Sequence, residues 1–403
     1  MQNELIVSVV DSPDELGSLR DEWDRLLKES QSPSICSSWE WLHTWWKTYG
    51  NCGVALQILR VQHGDRLVGL APFFLQEQRL FRFFRVRTMR FLGTGEPERD
   101  EVASEYLDIL ALVGWEEEVA RAVWAHLRRL GSWDQLILND VLADSLVMTT
   151  LSRSMAGDGL PVSSEEVGIR YCVDLPLTWD AYLAKLESSA AKRLSYKRRK
   201  LERAGQVSER TIDKSQELEQ AFDELVRLHT ARWNSRDKQG VFASPRFTAY
   251  HKALALLLLP RDMLRMRLLL LDDVTIAVLY NFRFHGTEYF YQGGFDVAHA
   301  AKYSPGLLAH VYAIINSIQG RMGRYDFMKG GTVSYKTEYG CAEQPMYDVQ
   351  VFARTLFGRA LRAERSGRKT LGLLRQKLRG LAPASTKPDS GRESVVDVRS
   401  EGP

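Results

Sequence analysis

A serine, a proline and a glycine precede an apolar segment in the second half of the chain. Ser304, Pro305 and Gly306 lead into the apolar-periodic run 307–318, and Lys302 lies just before them. Serine favours the helix N-cap, and proline favours the first helical position. Glycine lets another molecule approach the backbone, while the unpaired amides and the positive dipole end of a helix favour an anion. The pattern predicts a helix whose start binds phosphate, with Lys302 adding a full charge.

Three apolar runs would position that helix. Residues 266–271, 276–284 and 288–292 are rich in aliphatic and aromatic side chains, and short polar or glycine-containing turns separate them. Such runs are typical of an antiparallel meander. A further strand is predicted after the helix, at 325–328.

The first half of the chain repeats this order of elements. We predict strands at 55–62, 67–75, 89–92 and 106–112, then a helix at 115–130 and a strand at 135–138. The fold class is therefore α/β (α+β), with two similar units in tandem, each a mixed and mainly antiparallel sheet flanked by helices.

The domain boundary is expected near 152–168, where glycine, proline and serine cluster without apolar periodicity. The tail after residue 382 is rich in serine, proline, glycine and charge, so it is predicted to be disordered. The predicted divisions are an N-terminal unit at 1–165, a C-terminal unit at 166–352, a basic helix at 353–382 and a tail at 383–403.

The two units differ in charge where their helices begin. The first helix opens with Glu116, Glu117 and Glu118, which suit the helix dipole but repel a phosphate. The second has no acid in its first turn. A donor site is therefore predicted only in the second unit.

Several short motifs carry a resemblance to a known family. They are Tyr289-Phe290-Tyr291 before Gly-Gly, Tyr325-Asp326-Phe327, Tyr335-Lys336, and the stretches 38–42 and 228–233. With the Ser-Pro-Gly helix start, they make residues 35–352 resemble the GNAT-type acyltransferases of the CelD/BcsL group, which is similar to the FemAB aminoacyl transferases. Of the three marked positions in the usual GNAT loop, Gln/Arg-x-x-Gly-x-Gly/Ala, only Gly306 matches. The resemblance therefore supports the fold more than it supports acetyl-CoA as donor.

The resemblance implies roles for particular residues. Asp326, Lys336 and Tyr291 are the expected catalytic residues, with Glu338 and His285 as further candidates for proton transfer. An ordinary structural role is the alternative for each. No metal site is predicted, because no cysteine or histidine pairs occur at ligand spacing. The expected donor-binding residues are Lys302, Ser304, Pro305 and Gly306, and the expected acceptor-binding residues are Arg232, Trp233, Tyr289 and Tyr335.

The expected activity is transfer of an acyl group from acetyl-CoA or another acyl-CoA to an amine. The resemblance suggests an amino sugar or precursor of bacterial polysaccharide or envelope synthesis as acceptor. One alternative is a FemAB-like transferase using aminoacyl-tRNA. Another is a non-catalytic protein that binds the membrane surface.

Composition indicates a globular, core-forming chain. It has 403 residues, of which 44% are hydrophobic and 26% charged, and its net charge is +3. The absence of a signal-peptide pattern predicts a cytoplasmic location. A basic segment at 192–203 allows contact with a nucleotide-linked or lipid-linked acceptor, transfer RNA or the anionic inner face of the membrane, or is simply a solvated helix face.

Overall fold

The computed structural model describes residues 4–31, 33–50, 53–80, 84–365 and 367. The helices are α1 Pro13–Ser18, α2 Arg20–Lys28, α3 Trp39–Tyr49, α4 Glu116–Leu130, α5 Ser152–Gly157, α6 Trp179–Lys185, α7 Ser188–Glu202, α8 Ser215–Asn234, α9 Pro245–Leu258, α10 Val297–Tyr303 and α11 Pro305–Gln319. The strands are β1 Leu5–Val10, β2 Val54–His63, β3 Arg66–Leu80, β4 Phe84–Phe91, β5 Leu110–Ala111, β6 Gln135–Leu142, β7 Val162–Asp174, β8 Val207–Thr211, β9 Leu264–Leu271, β10 Val274–Phe284, β11 Thr287–Phe295, β12 Arg324–Gly330 and β13 Ala342–Phe352.

Within these described ranges the strands form one large sheet. Its order is β1-β2-β3-β4-β6-β13-β7-β12-β11-β10-β9-β8, and β5 pairs with β3 outside this path. All neighbours are antiparallel except β4 with β6 and β11 with β12. The prediction of a mixed, mainly antiparallel sheet flanked by helices is confirmed.

The sheet contains the same pattern twice. In the first half, β2, β3 and β4 form a meander, α4 crosses over, and β6 returns parallel to β4. In the second half, β9, β10 and β11 form a meander, α11 crosses over, and β12 returns parallel to β11. The predicted tandem arrangement is therefore present.

The last strand of each half pairs with the other half. Strand β7 follows the first unit in sequence but pairs with β12, and β13 follows the second unit but pairs with β6. The two exchanged strands also pair with each other from Val162 to Cys172. The halves are consequently joined through the middle of one sheet rather than by a surface contact.

The segment 152–168, where the domain boundary is predicted, consists largely of regular secondary structure. It contains α5 and the first part of β7, which pairs with β13. Interstrand hydrogen bonds stabilise this segment without requiring apolar periodicity. The division at 165/166 falls inside β7, and the assignment of domains on either side of it stays a prediction.

The strand predicted at 106–112 is also wrong in extent. Only Leu110–Ala111 is a strand, because Tyr106 has a positive φ of 61° and the Asp108 carboxylate accepts hydrogen bonds from the amides of Ile109, Leu146 and Val147. At the C-terminus, residues 356–365 are helical. Apart from residue 367, the remainder of the predicted 353–382 helix lies outside the described residues, as does the predicted tail.

Candidate functional site

Strands β11 and β12 separate soon after they begin. Their parallel pairing runs only from Thr287 to Tyr289, because β12 then continues beside β7 alone. Helix α11 begins at the resulting gap. A cavity of about 310 Å³, called here the fork cavity, lies at this point. It is lined by Lys197, Arg232, Arg236, Leu279, Phe290, Gly293, Gly294, Phe295, Ser304, Gly306, Leu307, His310, Tyr335 and Glu338.

The start of α11 differs in one respect from the sequence prediction. Ser304 is the N-cap residue, but its backbone is left-handed (φ 53°, ψ 56°) and its side chain does not cap the helix. Its hydroxyl instead accepts a hydrogen bond of 2.8 Å from Lys197 Nζ of α7. The first amides of α11 therefore have no side-chain cap from Ser304, and a cation lies beside them.

Gly306 packs closely against the protein itself. A Cβ atom at this position would lie 2.7 Å from Cδ1 of Phe295. The close packing against Phe295 therefore favours glycine at this position, independently of any role in ligand binding. A side chain at position 306 would displace the ring of Phe295, which is itself a wall of the fork cavity.

Cations outnumber acids around the fork cavity. Among the described residues, the lining contains three basic side chains, Lys197, Arg232 and Arg236, and one acidic side chain, Glu338. Glu338 pairs with Arg193 of α7 at 3.3 Å. The net positive charge and the helix start together suit an anionic group such as a phosphate.

His310 lines the fork cavity and was not singled out from the sequence. It lies in the second turn of α11, and its Nδ1 is 3.0 Å from the hydroxyl of Tyr325. Burial, followed by the charges of Lys336 and Arg232, lowers its pKa to about 3, so the imidazole is neutral. Its spacing of four residues from Gly306 was the available signal, because residues i and i+4 share a helix face.

Five of the predicted site residues line the fork cavity, counting the further candidate Glu338, and the others, including the further candidate His285, do not. Besides Glu338, four of the expected catalytic and binding residues do so. These four are Arg232, Ser304, Gly306 and Tyr335. Those placed outside its lining are Trp233, Tyr289, Tyr291, Lys302, Pro305, Asp326 and Lys336.

Asp326 is a buried structural anion in this arrangement. Its carboxylate accepts hydrogen bonds from Arg170 Nε at 2.8 Å, from the amide of Met328 at 2.7 Å and from the hydroxyl of Tyr106 at 3.2 Å. The side chain is fully buried, and Arg170 belongs to the exchanged strand β7. The pair therefore joins the two halves, and a catalytic role for Asp326 stays a prediction.

The two predicted tyrosines on β11 face the core between the halves. Tyr291 donates a hydrogen bond to the carbonyl of Val102, and its oxygen is 2.9 Å from Nε2 of His251. Tyr289 is 3% exposed. On α8, Trp233 donates to Nε2 of His229 at 2.8 Å. The two tyrosines are therefore packed core residues, whereas Trp233 is only half-buried.

The two predicted lysines differ in burial. Lys336 is 7% exposed, and its Nζ donates a hydrogen bond of 2.6 Å to the carbonyl of Lys329. This bond stabilises the segment after β12, which lies next to the fork cavity. Lys302 is exposed, and its ammonium group lies 4.9 Å from the ring of Tyr303. Lys197, a residue of the basic segment at 192–203, lies beside the start of α11, where Lys302 was predicted to lie.

A second cavity lies where the first half has its own fork. It has a volume of about 350 Å³ and is called here the acidic cavity. Burial raises the pKa of Glu96 to about 7. The charged groups in its lining are Glu96, Glu98, Glu101, Asp140 and Asp348, against Arg90 and Lys329.

The outer face of α7 carries a basic stripe. Lys192, Tyr196, Arg199 and Arg203 are exposed, at spacings of four, three and four residues that place them on one side of the helix. The opposite side buries Leu194 and Leu201. The stripe adjoins the fork cavity through Lys197 of the same helix.

The described residues contain no group of three or more His, Cys, Asp or Glu side chains placed to hold a metal ion. In the same part of the chain, no helix combines the length and apolar character needed to cross a membrane.

Comparison with known proteins identifies the class to which this fold and cavity belong. Residues 188–337 match the family model described as an acetyltransferase (GNAT) domain. Residues 188–337 are therefore a GNAT-type domain, and the protein is an acyltransferase. The resemblance to the GNAT and FemAB-like group is confirmed at this level. The narrower CelD/BcsL assignment stays a prediction.

Solved structures share the fold over most of the chain at low identity. The crystal structure of FemX has a TM-score of 0.57 and 10% identity, covering 83% of this chain and 96% of that one. A conserved protein from Bacteroides thetaiotaomicron has a TM-score of 0.53 and 10% identity, covering 86% and 100%. The C-terminal domain of a lysylphosphatidylglycerol synthetase candidate from Agrobacterium fabrum has a TM-score of 0.50 and 11% identity, covering 87% and 95%. No curated protein sequence matches the chain.

Proposed function

We propose that the protein transfers an acyl group from an acyl-CoA, most simply acetyl-CoA, to an amine. The observation that carries this proposal is the start of α11, where the Ser304 side chain leaves the first amides uncapped and Lys197 lies 2.8 Å from the Ser304 hydroxyl. The CoA pyrophosphate would bind these amides and Lys197. The acyl group would then extend along β11 towards His310 and Tyr335.

The acceptor amine would approach from the side of the fork cavity that faces the first half of the chain. The acidic cavity supports this placement, because acidic side chains outnumber basic ones by five to two among its described lining residues, and such an excess favours a protonated amine. Lys336 connects the two sites, since it donates to the carbonyl of Lys329, whose own ammonium group pairs with Asp140 at 2.5 Å. Glu338 is the carboxylate in the fork cavity that can accept the proton released by the amine. An amino sugar of polysaccharide or envelope synthesis is the acceptor we propose from the family resemblance.

Titration calorimetry with acetyl-CoA and with CoA tests the donor site. Lys197→Glu should weaken binding by at least about tenfold, since hydrogen bonds to charged groups contribute about 1.5–3 kcal/mol. Lys200→Glu is the matched control, because Lys200 is exposed on the same helix and does not line the fork cavity. Equal affinities in the two variants would remove phosphate binding from the start of α11.

A second candidate function is aminoacyl transfer. The basic stripe of α7 favours aminoacyl transfer. It continues the positive surface of the fork cavity along the helix, and a pyrophosphate alone would not need this additional surface. The lysylphosphatidylglycerol synthetase candidate with the same fold is named for attaching an amino acid to a lipid. Binding of deacylated transfer RNA that weakens steeply with salt, together with no binding of any acyl-CoA, would favour this candidate. A contact of the stripe with anionic membrane also stays a prediction.

A further inference from the structure

A buried chain of hydrogen bonds leads from the sheet to the fork cavity. Arg267 donates to both carboxylate oxygens of Glu288, each at 2.7 Å. Asn281 Nδ2 donates to Glu288 Oε1 at 2.8 Å and to the Tyr325 oxygen at 3.2 Å, and that oxygen lies 3.0 Å from His310 Nδ1. All five side chains belong to residues that are at least nine-tenths buried.

The chain of bonds has a fixed direction. Burial raises the pKa of Glu288, but the charge of Arg267 together with the hydrogen bonds from Arg267, Asn281 and Ser317 outweighs burial and lowers the pKa. The carboxylate therefore only accepts hydrogen bonds. The amide of Asn281 must then face it with Nδ2, because Oδ1 would repel a carboxylate. Asn281 uses its second Nδ2 hydrogen on Tyr325. The hydroxyl hydrogen of Tyr325 is therefore available for His310 Nδ1.

This direction determines the tautomer of His310. The ring is neutral, as its low pKa requires, and Nδ1 accepts a hydrogen bond, so its single N–H is at Nε2. The residue lines the fork cavity, and its Nε2 has no hydrogen-bond partner within the described part of the chain. A fixed neutral N–H donor in the wall of a cavity is suited to a developing oxyanion.

We propose that His310 is a catalytic residue that donates its Nε2–H to the carbonyl oxygen of the bound acyl group, and that Tyr325 is a positioning residue that holds this tautomer. The role rests on the proposed function, because the acyl group must lie in the fork cavity. The same hydrogen bond from His310 can stabilise the carbonyl oxygen of a thioester or of an ester.

The step balances without a cofactor. The acceptor nitrogen bonds to the acyl carbon, and the carbonyl π pair moves onto oxygen, where the Nε2–H stabilises it. Collapse of the intermediate expels the thiolate of CoA, or the ribose hydroxyl oxygen of an aminoacyl ester, with the electron pair of the broken bond. Glu338 receives the proton from nitrogen, and His310 keeps its own proton throughout.

Substitutions at His310 separate a hydrogen-bond donor from a packing residue. Glutamine can place an N–H near the position of Nε2, whereas phenylalanine fills the space without a donor. His310→Phe should lower kcat by about 10²–10³, the usual effect of removing one oxyanion donor, while the donor Kd measured by calorimetry stays nearly unchanged. His310→Gln should keep kcat within about tenfold of the native value. A His310→Phe enzyme with near-native kcat, or a His310→Gln enzyme as slow as His310→Phe, would overturn the role.

Nuclear magnetic resonance of the full chain labelled with ¹⁵N-histidine tests the tautomer without an activity assay. The His310 signals, assigned by their loss in His310→Gln, should show a protonated Nε2 and an unprotonated Nδ1 from about pH 5 to 8. Tyr325→Phe should give a mixture of tautomers and a lower kcat at unchanged KM. A proton on Nδ1, or titration within this pH range, would overturn the proposal even if donors bind. Failure of every acyl-CoA and aminoacyl donor to bind would overturn the proposed function as well, with the tautomer still measurable.

Discussion

The forks in the two halves of the sheet have the same strand order and opposite charge. In the second half, Lys197, Arg232 and Arg236 surround the fork cavity, and α11 begins without an acid. In the first half, α4 begins with three glutamates, and five carboxylates line the acidic cavity. The repeated fold therefore has different charges at its two forks. The difference suits an anionic donor in one half and a cationic acceptor beside the other.

The halves also differ in how each holds the exchanged strand. Strand β7 is tied to β12 by the buried pair of Arg170 and Asp326, with Nη2 and Oδ2 2.6 Å apart. Strand β13 is tied to β6 by Asp348, whose carboxylate accepts from Asn139 Nδ2 at 2.9 Å and from the amide of Asp140 at 3.0 Å. Among the described residues, an ion pair thus joins the strands in the β7–β12 junction and not in the β6–β13 junction.

Breaking that ion pair should have the largest effect on stability. Arg170→Leu leaves the Asp326 carboxylate buried and without its cation, which typically lowers the free energy of unfolding by about 3–5 kcal/mol. Arg324→Leu is the matched control, because Arg324 pairs with Asp174 across the same two strands in an exposed position, where a pair contributes about 0–1 kcal/mol. Urea denaturation measures both. Equal losses would mean that the buried pair does not hold the junction.

Copying the acid of the first half onto α11 should abolish the preference for an anionic donor. Leu307 lies in the first turn of α11 and lines the fork cavity. Leu307→Glu should weaken acetyl-CoA binding by about 10- to 100-fold relative to Leu307→Gln, because a carboxylate within several ångströms of a phosphate costs a few kcal/mol. The glutamine variant accounts for the change in shape. Indistinguishable calorimetric Kd values for the two variants would show that charge at this helix start is irrelevant.

The acidity of the first half should appear in the pH dependence of stability. Burial, followed by the charge of Asp140, raises the pKa of Glu105 from 4.5 to about 7. The folded state then binds this proton more tightly than the unfolded state does. Its contribution to stability is fully present below pH 4.5 and is lost as the pH rises towards and through about 7, at up to about 1.4 kcal/mol per pH unit.

Glu105→Gln should remove this contribution to the pH dependence. The variant should become more stable relative to the native protein on going from pH 5 to pH 8, as measured by urea denaturation at each pH. An unchanged difference between the two proteins across this range would place Glu105 in a better solvated environment than the structure indicates.

Neutralising the start of α4 should have the smallest effect. Replacing Glu116, Glu117 and Glu118 by glutamine should cost roughly 0.3–1 kcal/mol per residue through the helix dipole. It should not create a second donor site, because the acidic cavity keeps its carboxylates. Two acetyl-CoA molecules bound per chain in this variant would show that the glutamates alone distinguish the halves.

Local sequence patterns predicted helices and strands well where the pattern lies within the element itself. The meander and Ser-Pro-Gly identified β9 to β11 and α11, and the three glutamates identified the start of α4. The exchange of β7 and β13 could not be predicted. Alternation along a strand shows which face is buried, but it does not show which distant strand lies beside it.

The candidate site was predicted only in part, for a related reason. Helix periodicity made His310 resemble a core position, and it is indeed 4% exposed. Its hydrogen-bonding role depends on Tyr325, Asn281 and Glu288, which come from three different strands. Asp326 was expected to be catalytic because the family resemblance implies that its segment borders the acceptor site. Arg170, its partner, is 156 positions away in the sequence.

The exchange of strands also has a consequence for synthesis on the ribosome. Asn139 and Asp348, which bond across β6 and β13, are separated by 209 positions. At about 5–20 residues per second, the first half waits roughly 10–40 seconds for the strand that completes it. During that interval β6 has an open edge, which is a template for pairing with a neighbouring nascent chain. A chaperone that shields this edge should raise the yield of soluble protein, and polysomes that bring two such chains together should lower it.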